Sequence, residues 1–376
     1  MIDTLLLTQD FPPEVGGTQT YAHEVAVRLA SRGRIRVIAP SRSGSVSVDA
    51  TFPFEVERVA ASPDLFFLSA RASVRRAVRE GYRRAFCVQW TGALAALAGR
   101  RLDPGFEIHV AAHGRELLFN PLPGPFAGVY DRLRRRVLGR ANGVYPVSRY
   151  TADLALDLGV AAERIHVVSN GADPLRFKPT DRHEARRRFS LPNNPVILTL
   201  CRLVSRKGVD TVIRSFRSVL VAWPEATLIV AGDGPERSSL ERLAADIGVS
   251  THVRFLGSVP YDQVPALFSA ADVFALVPRE SRPDVEGFGL VYLEASACEI
   301  PVIGARSGGI PDAVIDGVTG LLVPPDDPEG LAAALEHVLR HENIALTLGE
   351  AGRRHVLEYA NWDRMVERLL AAFDGH

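Results

Sequence analysis

The chain lacks most of the features that mark membrane-spanning, disulfide-rich or zinc-binding proteins. Its 376 residues include three cysteines, which are too widely spaced to form a metal-type pair. Because Cys87, Cys201 and Cys298 each lie in an apolar run, we expect them to be core residues. No run approaches the roughly 20 apolar residues that span a bilayer, and the amino terminus lacks a basic, cleavable signal. These absences predict a cytoplasmic protein.

The net charge is zero, but the two halves of the chain differ in sign. Residues 1–178 carry 24 Lys+Arg against 17 Asp+Glu, and the remainder carries 20 against 27. The positive excess indicates that the first half meets something anionic.

Short β-rich runs alternate with helical patterns along the whole chain, which is typical of parallel sheets covered by helices on both faces. Two such series follow one another, so the sequence predicts an α/β fold with two Rossmann-like, doubly wound domains facing a cleft. The predicted strands are Ile2–Leu7, Arg36–Ala39, Phe86–Gln89, Ile108–Ala112, Gly143–Val147 and Ile165–Val168, then a strand from Val196, Thr227–Ala231, Val253–Leu256, Val273–Leu276, Val302–Gly304 and Gly320–Val323.

The domain boundary is predicted in Ser169–Pro179, where turn formers and two prolines interrupt the periodicity. The first domain would cover residues 1–172 and the second residues 173–357. From about Asn361 the apolar residues recur at helical spacing. We therefore expect a last helix, within residues 358–376, that returns to the first domain.

Four motifs carry the candidate chemistry, and the first is Gly16-Gly17, between the first strand and a helix that starts near Thr18. Glycine lets the backbone approach a ligand, and a helix start offers free amides and a positive dipole end to phosphate. Because the pattern is not G-x-G-x-x-G, a nicotinamide dinucleotide is disfavoured. A plain strand-to-helix turn is the alternative.

The second motif, Cys201–Gly208, places Arg202 and Lys207 after the strand that opens the second domain. Two fixed cations before a helix can stabilise the charge that grows on a departing diphosphate. Solvated surface cations are the alternative.

The third and most specific motif runs from Glu286 through Phe288, Gly289 and Leu290 to Glu294. We expect the two glutamates on a similar face of one largely apolar helix. A carboxylate can accept two hydrogen bonds from vicinal hydroxyls, so one glutamate would hold a sugar and the other a ribose. An exposed helix that happens to carry two glutamates is the alternative.

The fourth motif, His109–Glu116, ends an apolar strand of the first domain. We expect His109 to be structural. His113 would lie at the cleft edge, where an imidazole can donate to a sugar hydroxyl. A structural role for His113 is the alternative.

In this order the four motifs resemble those of the family-four retaining glycosyltransferases of GT-B fold, over essentially the whole chain. The Glu-x7-Glu pattern at Glu286 and Glu294 is the most specific element. Cys201 is a departure, since it stands where the family has glycine. Weaker matches are Ala231–Pro235, Val253–Val259 and Ser307–Asp312.

The resemblance implies that Arg202 and Lys207 hold a donor diphosphate in place of a metal ion, and the chain indeed contains no Asp-x-Asp. It also implies retention of anomeric configuration by front-face attack, in which the departing phosphate assists deprotonation of the acceptor, so the resemblance assigns no protein residue as general base. The other implied contacts are Glu286 on sugar hydroxyls, Glu294 on the ribose, backbone at Phe288, Gly289 and Leu290 on sugar and phosphate, backbone near Val259 on the base, Gly16 beside Gly17 on the phosphates, and His113 beside the transferred sugar.

Within the family, the long loop Pro278–Glu286 is similar to that of actinobacterial phosphatidylinositol mannosyltransferases and related enzymes. This resemblance implies GDP-mannose as co-substrate and a lipid, glycan or small-molecule acceptor, with no cofactor, metal or nucleic-acid partner. A UDP-sugar donor is an alternative. Two others are a sugar-nucleotide epimerase, which would show residues suited to elimination of the nucleotide, and a non-catalytic nucleotide-sugar-binding protein, which would lack His113, Arg202, Lys207 or Glu286.

Two basic clusters in the first half suggest where an anionic surface could bind. One predicted helical stretch follows Phe66-Phe67-Leu68, and residues 131–140 form the second cluster. Basic amphipathic helices beside aromatic residues can lie on anionic lipid, so we expect peripheral contact with the inner face of the cell membrane. A solvated arginine-rich face is the alternative. The arginines of the first stretch are Arg71, Arg75, Arg76, Arg79, Arg83 and Arg84.

Overall fold

The computed structural model describes residues 3–60, 65–122 and 125–374. Ile2, where the first predicted strand begins, lies outside them. The chain divides into two compact units, which we call unit 1 (residues up to Asn170 together with those from Trp362) and unit 2 (Gly171–Asn361). Each unit is built on one six-stranded parallel sheet, so the predicted pair of Rossmann-like domains is confirmed.

The sheet of unit 1 has the strand order β3-β2-β1-β4-β5-β6. Its central strands are buried apolar runs, as expected where helices cover both faces. The strands are β1 (Thr4–Leu7), β2 (Ile35–Pro40), β3 (Glu55–Val59), β4 (Arg84–Cys87), β5 (Glu107–Ala112) and β6 (Gly143–Pro146). The helices between and after them are α1 (Gly17–Ala30), α2 (Ser45–Asp49), α3 (Phe66–Arg79), α4 (Trp90–Arg100), α5 (Arg115–Leu118), α6 (Pro125–Leu138) and α7 (Arg149–Asp157).

The sheet of unit 2 has the order β12-β11-β10-β7-β8-β9. Its strands are β7 (Val196–Leu200), β8 (Thr227–Ala231), β9 (Val253–Gly257), β10 (Val273–Leu276), β11 (Val302–Ala305) and β12 (Leu321–Val323). Its helices are α8 (Arg182–Arg188), α9 (Val209–Ala222), α10 (Arg237–Asp246), α11 (Val264–Ala270), α12 (Leu290–Ala297), α13 (Ile310–Ala313), α14 (Pro328–Arg340) and α15 (Glu342–Glu358).

The last helix, α16 (Trp362–Asp374), belongs to unit 1 and packs on α1. Trp362 meets Tyr21 of α1 edge-on at a centroid distance of 6.1 Å, and Met365 and Leu369 are buried. The predicted return of the chain's last helix to the first domain is therefore confirmed.

Two details of the strand prediction in unit 1 are wrong. The sequence-based prediction missed β3, because this edge strand carries the charged residues Glu55, Glu57 and Arg58 and so lacks an apolar run. Ile165–Val168 is not a strand. It follows the end of β6 only through one isolated bridge, from Ile165 to Val144, and two backbone hydrogen bonds from His166 and Val168.

The basic stretch of unit 1 is also shorter than predicted. Helix α3 ends at Arg79, so Arg83 and Arg84 are not on it. Arg84 lies buried in β4, where its Nε is 2.6 Å from a carboxylate oxygen of Glu107. In the part of the chain that the structure describes, no helix is both long and apolar enough to cross a bilayer.

Candidate functional site

The predicted site residues of unit 2 collect where its strands end. Arg202 follows β7, Val259 follows β9, and Glu286 lies in the loop between β10 and α12. Since β10, β7, β8 and β9 are neighbours in a parallel sheet, these segments share one edge. The carboxyl edge of such a sheet is where ligands bind in open α/β folds.

Glu286 is bound by two cations at a single oxygen. Arg206 Nη1 lies 3.0 Å from Oε2 of Glu286, and Lys207 Nζ donates to the same oxygen. Both cations stand on a 3₁₀ turn, Ser205–Lys207, which ends at Gly208 with φ 65°. A Cβ at Gly208 would lie 2.1 Å from the carbonyl oxygen of Val277, so only glycine lets the turn lie this close to the end of β10.

The cations decide the charge state of Glu286. Its side chain is 14% exposed, and burial works to raise its pKa. Lys207 and Arg206 outweigh burial, so the pKa of Glu286 lies below its ordinary value. One ionised carboxylate with two cations leaves this cluster with a positive charge, which favours an anionic ligand.

Glu286 does not share a helix with Glu294, and that prediction is wrong. Helix α12 begins only at Leu290, because Gly289 has φ 91°, which an α-helix cannot contain. Glu286 therefore lies in the preceding loop, where its carbonyl oxygen accepts a 2.9 Å hydrogen bond from the amide of Gly309. Because the side chain of Phe288 is buried, only the backbone of this residue could contact a ligand.

Glu294 is joined to the predicted base-binding segment by Tyr261. The Tyr261 hydroxyl donates a 3.2 Å hydrogen bond to Oε1 of Glu294 on α12, and Tyr261 follows Val259 by two residues. Sequence reasoning missed Tyr261 because it matches no motif. A polar residue just past the carboxyl end of β9 was the signal that could have identified it.

In unit 1 the helix that the first motif opens packs against the fourth motif. Gly16 and Gly17 open α1, and Tyr21, one turn further on, packs edge-on against the His113 ring at a centroid distance of 4.6 Å. His113 lies at the end of β5, and its amide donates a 2.6 Å hydrogen bond to Glu116.

The environment of His113 fixes its ring chemistry. Burial lowers the pKa of His113, and the charge of Glu116 only partly opposes this, so the ring is neutral near pH 7. The ring bonds to the backbone of Val88, and its Nε2 is buried with no hydrogen-bond partner in the described parts of the chain. A neutral ring that donates from Nδ1 to a carbonyl presents Nε2 as an acceptor. The donor role expected from the sequence would need the protonated ring.

Asp10, three residues beyond the end of β1, is a second polar group that sequence reasoning missed. Its two carboxylate oxygens accept hydrogen bonds from Gln19 Nε2 at 3.0 Å and Gln89 Nε2 at 2.8 Å. Burial raises the pKa of Asp10, and the bond from Gln89 works against this rise. An acidic residue at the carboxyl end of a central strand was the available signal.

The three cysteines have different surroundings. Cys87 and Cys298 are buried, as predicted. Cys201 as a whole residue is only half-buried, because β7 has ended at Leu200, so its prediction as a core residue is wrong, although its thiol points away from solvent. Burial of its thiol raises the pKa of Cys201 to about 11.

Within residues 3–60, 65–122 and 125–374, no group of three or more His, Cys, Asp or Glu side chains is arranged to hold a metal ion. Metal independence stays a prediction.

Comparison with known proteins gives matches over both units. Residues 181–355 match the family model described as "Glycosyl transferases group 1", and residues 15–176 match "Glycosyltransferase Family 4". The GDP-mannose-dependent alpha-(1-6)-phosphatidylinositol monomannoside mannosyltransferase of Mycolicibacterium smegmatis is 35% identical over 381 residues, covering 99% of this chain and 98% of that protein.

Two further proteins are similar in part or in fold. The D-inositol 3-phosphate glycosyltransferase of Salinispora arenicola is 36% identical over 271 residues, covering 66% of this chain and 59% of that protein. The crystal structure of Anabaena HepE in complex with UDP superposes with a TM-score of 0.83 at 22% identity and covers both chains fully. At that identity the likeness concerns the fold alone.

Proposed function

Since the chain belongs to the glycosyltransferases described by the group 1 and family 4 models, we propose that it transfers a mannosyl residue from GDP-mannose to a hydroxyl of a phosphatidylinositol-based acceptor. The 35% identity with a GDP-mannose-dependent relative over nearly the whole chain carries this proposal. The names of both sets of relatives include a phosphorylated inositol, which supports this class of acceptor.

The charges of unit 2 suit a nucleotide diphosphate donor. Lys207 and the exposed Arg202 would bind the diphosphate and stabilise the negative charge that grows on it as the glycosidic bond breaks. Ionised Glu286 would accept hydrogen bonds from hydroxyls of the sugar, and Glu294 from those of the ribose. Fixed cations can do this without a metal ion, so we propose a metal-independent reaction.

We further propose that the product keeps the anomeric configuration of the donor. The bond from the sugar to phosphate breaks, the bond to the acceptor oxygen forms on the same face, and the acceptor proton passes to the departing phosphate. No protein base is required for that balance. In unit 1, His113 Nε2 would accept a hydrogen bond from a substrate hydroxyl.

A lipid acceptor also requires access to a membrane surface, and unit 1 offers one. Helix α3 exposes Arg75, Arg76 and Arg79, and residues Leu65 and Leu68 beside them are 54% and 47% exposed. Helix α6 exposes further arginines, and both helices pack on α4, so they cover the same face of the sheet. We propose that this face, the basic face, binds anionic lipid.

The test is a transfer assay with labelled GDP-mannose and phosphatidylinositol monomannoside, in buffer with and without EDTA. We expect a labelled mannolipid of retained configuration in both buffers. Glu286→Ala and Lys207→Ala should lower transfer roughly 100-fold. Arg214→Ala, an exposed position on α9, is the matched control.

Each part of the proposal can fail separately in that assay. Transfer from UDP-glucose but not from GDP-mannose would refute the donor, and transfer only to free inositol phosphate would refute the lipid acceptor. Loss of activity in EDTA would refute metal independence. Full activity in either active-site variant would refute the assigned site.

A further inference from the structure

Glu286 has one more counter-ion than its charge requires. Arg206 and Lys207 both bind Oε2 of the one carboxylate, and their side chains are 26% and 13% exposed. The proposed function gives Lys207 a role on the donor diphosphate, but it gives Arg206 none. The second cation on Glu286 is therefore not explained by donor binding alone.

We propose that Arg206 is a positioning residue that holds Glu286 in place when Lys207 turns to the diphosphate. This inference rests on the proposed function. If Lys207 were the sole partner, an arriving diphosphate would withdraw the only counter-ion from a largely buried carboxylate, which is strongly unfavourable. With Arg206 in place, Glu286 stays ionised and oriented toward the sugar while Lys207 changes partner.

The backbone anchoring of Arg206 fits its positioning role. The carbonyl oxygen of Arg206 accepts a 2.9 Å hydrogen bond from the amide of Arg279, just beyond β10. Arg279 is itself fixed by ion pairs of 2.8 Å to Asp210 and 2.7 Å to Asp326. A guanidinium on a fixed backbone keeps a directional bond, whereas an ammonium on a flexible stem can rotate between partners.

The composition of the chain provides a direct probe of Lys207. Lys178 and Lys207 are the only lysines in the sequence, and Lys178 is exposed. Reductive ¹³C-methylation keeps the charge of lysine. It therefore yields two lysine NMR signals beside that of the terminal amine, one from the site and one from an internal control.

The experiment titrates wild-type, Arg206→Ala, Arg206→Lys and Arg214→Ala proteins with GDP and with inorganic pyrophosphate. We expect both probes to shift the Lys207 signal and leave the Lys178 signal unchanged. Arg206→Ala should bind GDP about tenfold more weakly, since Lys207 alone then has to neutralise both Glu286 and the diphosphate. Arg206→Lys keeps the charge but not the directional bond, so it should recover part of the affinity, and Arg214→Ala should match the wild type.

A second readout is the acid titration of Glu286, observed through the Lys207 signal without nucleotide. Removing Arg206 should move its inflection to higher pH, which a merely structural role would not do. Unchanged GDP affinity and an unmoved inflection in folded Arg206→Ala would overturn the inference. A wild type that binds GDP but transfers no mannose refutes the proposed function only, and one that binds neither probe refutes both.

Discussion

The amide of Gly309 donates a 2.9 Å hydrogen bond to the carbonyl oxygen of Glu286. The neighbouring Gly308 has φ 53°, and a Cβ there would lie 2.4 Å from the same oxygen. This turn therefore fixes the position of the Glu286 loop, although it lies 22 residues further along the chain.

Gly308→Ala should therefore displace Glu286 and lower kcat/KM at least about tenfold, because small misplacements of a substrate-binding group reduce rate steeply. Gly317→Ala is the matched control, since Gly317 has φ 71° and nothing within 4 Å of its Cβ position. Both variants carry left-handed strain of about 1 kcal/mol. Equal activity of the two in a transfer assay would contradict the account.

Glu286→Gln should separate donor binding from sugar transfer. Removing the negative charge releases Lys207, so we expect GDP to bind at least as tightly as in the wild type. Transfer should nevertheless fall roughly 100-fold, because the neutral amide keeps only one acceptor oxygen and binds the sugar hydroxyls more weakly than the carboxylate does. Calorimetry with GDP and the mannosyl transfer assay measure the two effects, and Glu350→Gln, exposed on α15, is the control.

The lowered pKa of Glu286 also predicts how stability depends on pH. A carboxyl whose folded pKa lies below its unfolded value of 4.5 stabilises the fold fully above that value, and the contribution is lost as pH falls through the folded pKa. The stability of the wild type relative to Glu286→Gln should therefore be constant above about pH 5.5 and decrease toward pH 3. Urea denaturation at a series of pH values measures this difference. A difference that grows above pH 6 would contradict the shift.

The two sheets could be predicted because their central strands are buried apolar runs between helical patterns. The returning helix could be predicted from the apolar spacing that begins at Trp362. An edge strand such as β3 has no such signal, since three of its five residues are charged. The hydrogen bonds of Ile165–Val168 to β6 depend on how a loop packs, which an apolar run does not specify.

The candidate site, like the fold, could be predicted from the sequence only in part. Motif spacing identified Lys207 and Glu286, and the structure joins them directly. Motif spacing could not identify Arg206, because that position has no assigned role in the motif, or the hydrogen bonds of Asp10 to Gln19 and Gln89, because none of these three residues belongs to a motif. The helix expected to carry Glu286 begins only after Gly289, because Gly289 has a positive φ. The spacing of apolar residues does not reveal such a backbone conformation.

His113 should make stability depend on pH near neutrality. Its folded pKa lies below the ordinary 6.5, so the unfolded chain binds more protons and stability falls as pH drops below about 6.5. His113→Asn should lose less stability than the wild type between pH 7.5 and pH 5.5. Thermal denaturation at both values measures this, and His183→Asn, exposed on α8, should behave as the wild type.

The basic face of unit 1 should bind anionic vesicles through charge. Each arginine near such a surface contributes about 1 kcal/mol, so Arg75→Ser with Arg79→Ser should weaken binding roughly 30-fold. Arg187→Ser with Arg188→Ser removes the same charge from exposed positions on α8 and should have little effect. Co-sedimentation at low salt with phosphatidylserine-containing and neutral vesicles measures both. Because salt screens surface charge, 0.5 M salt should release the wild type, whereas equal recovery with neutral vesicles would show that the arginines are merely solvated.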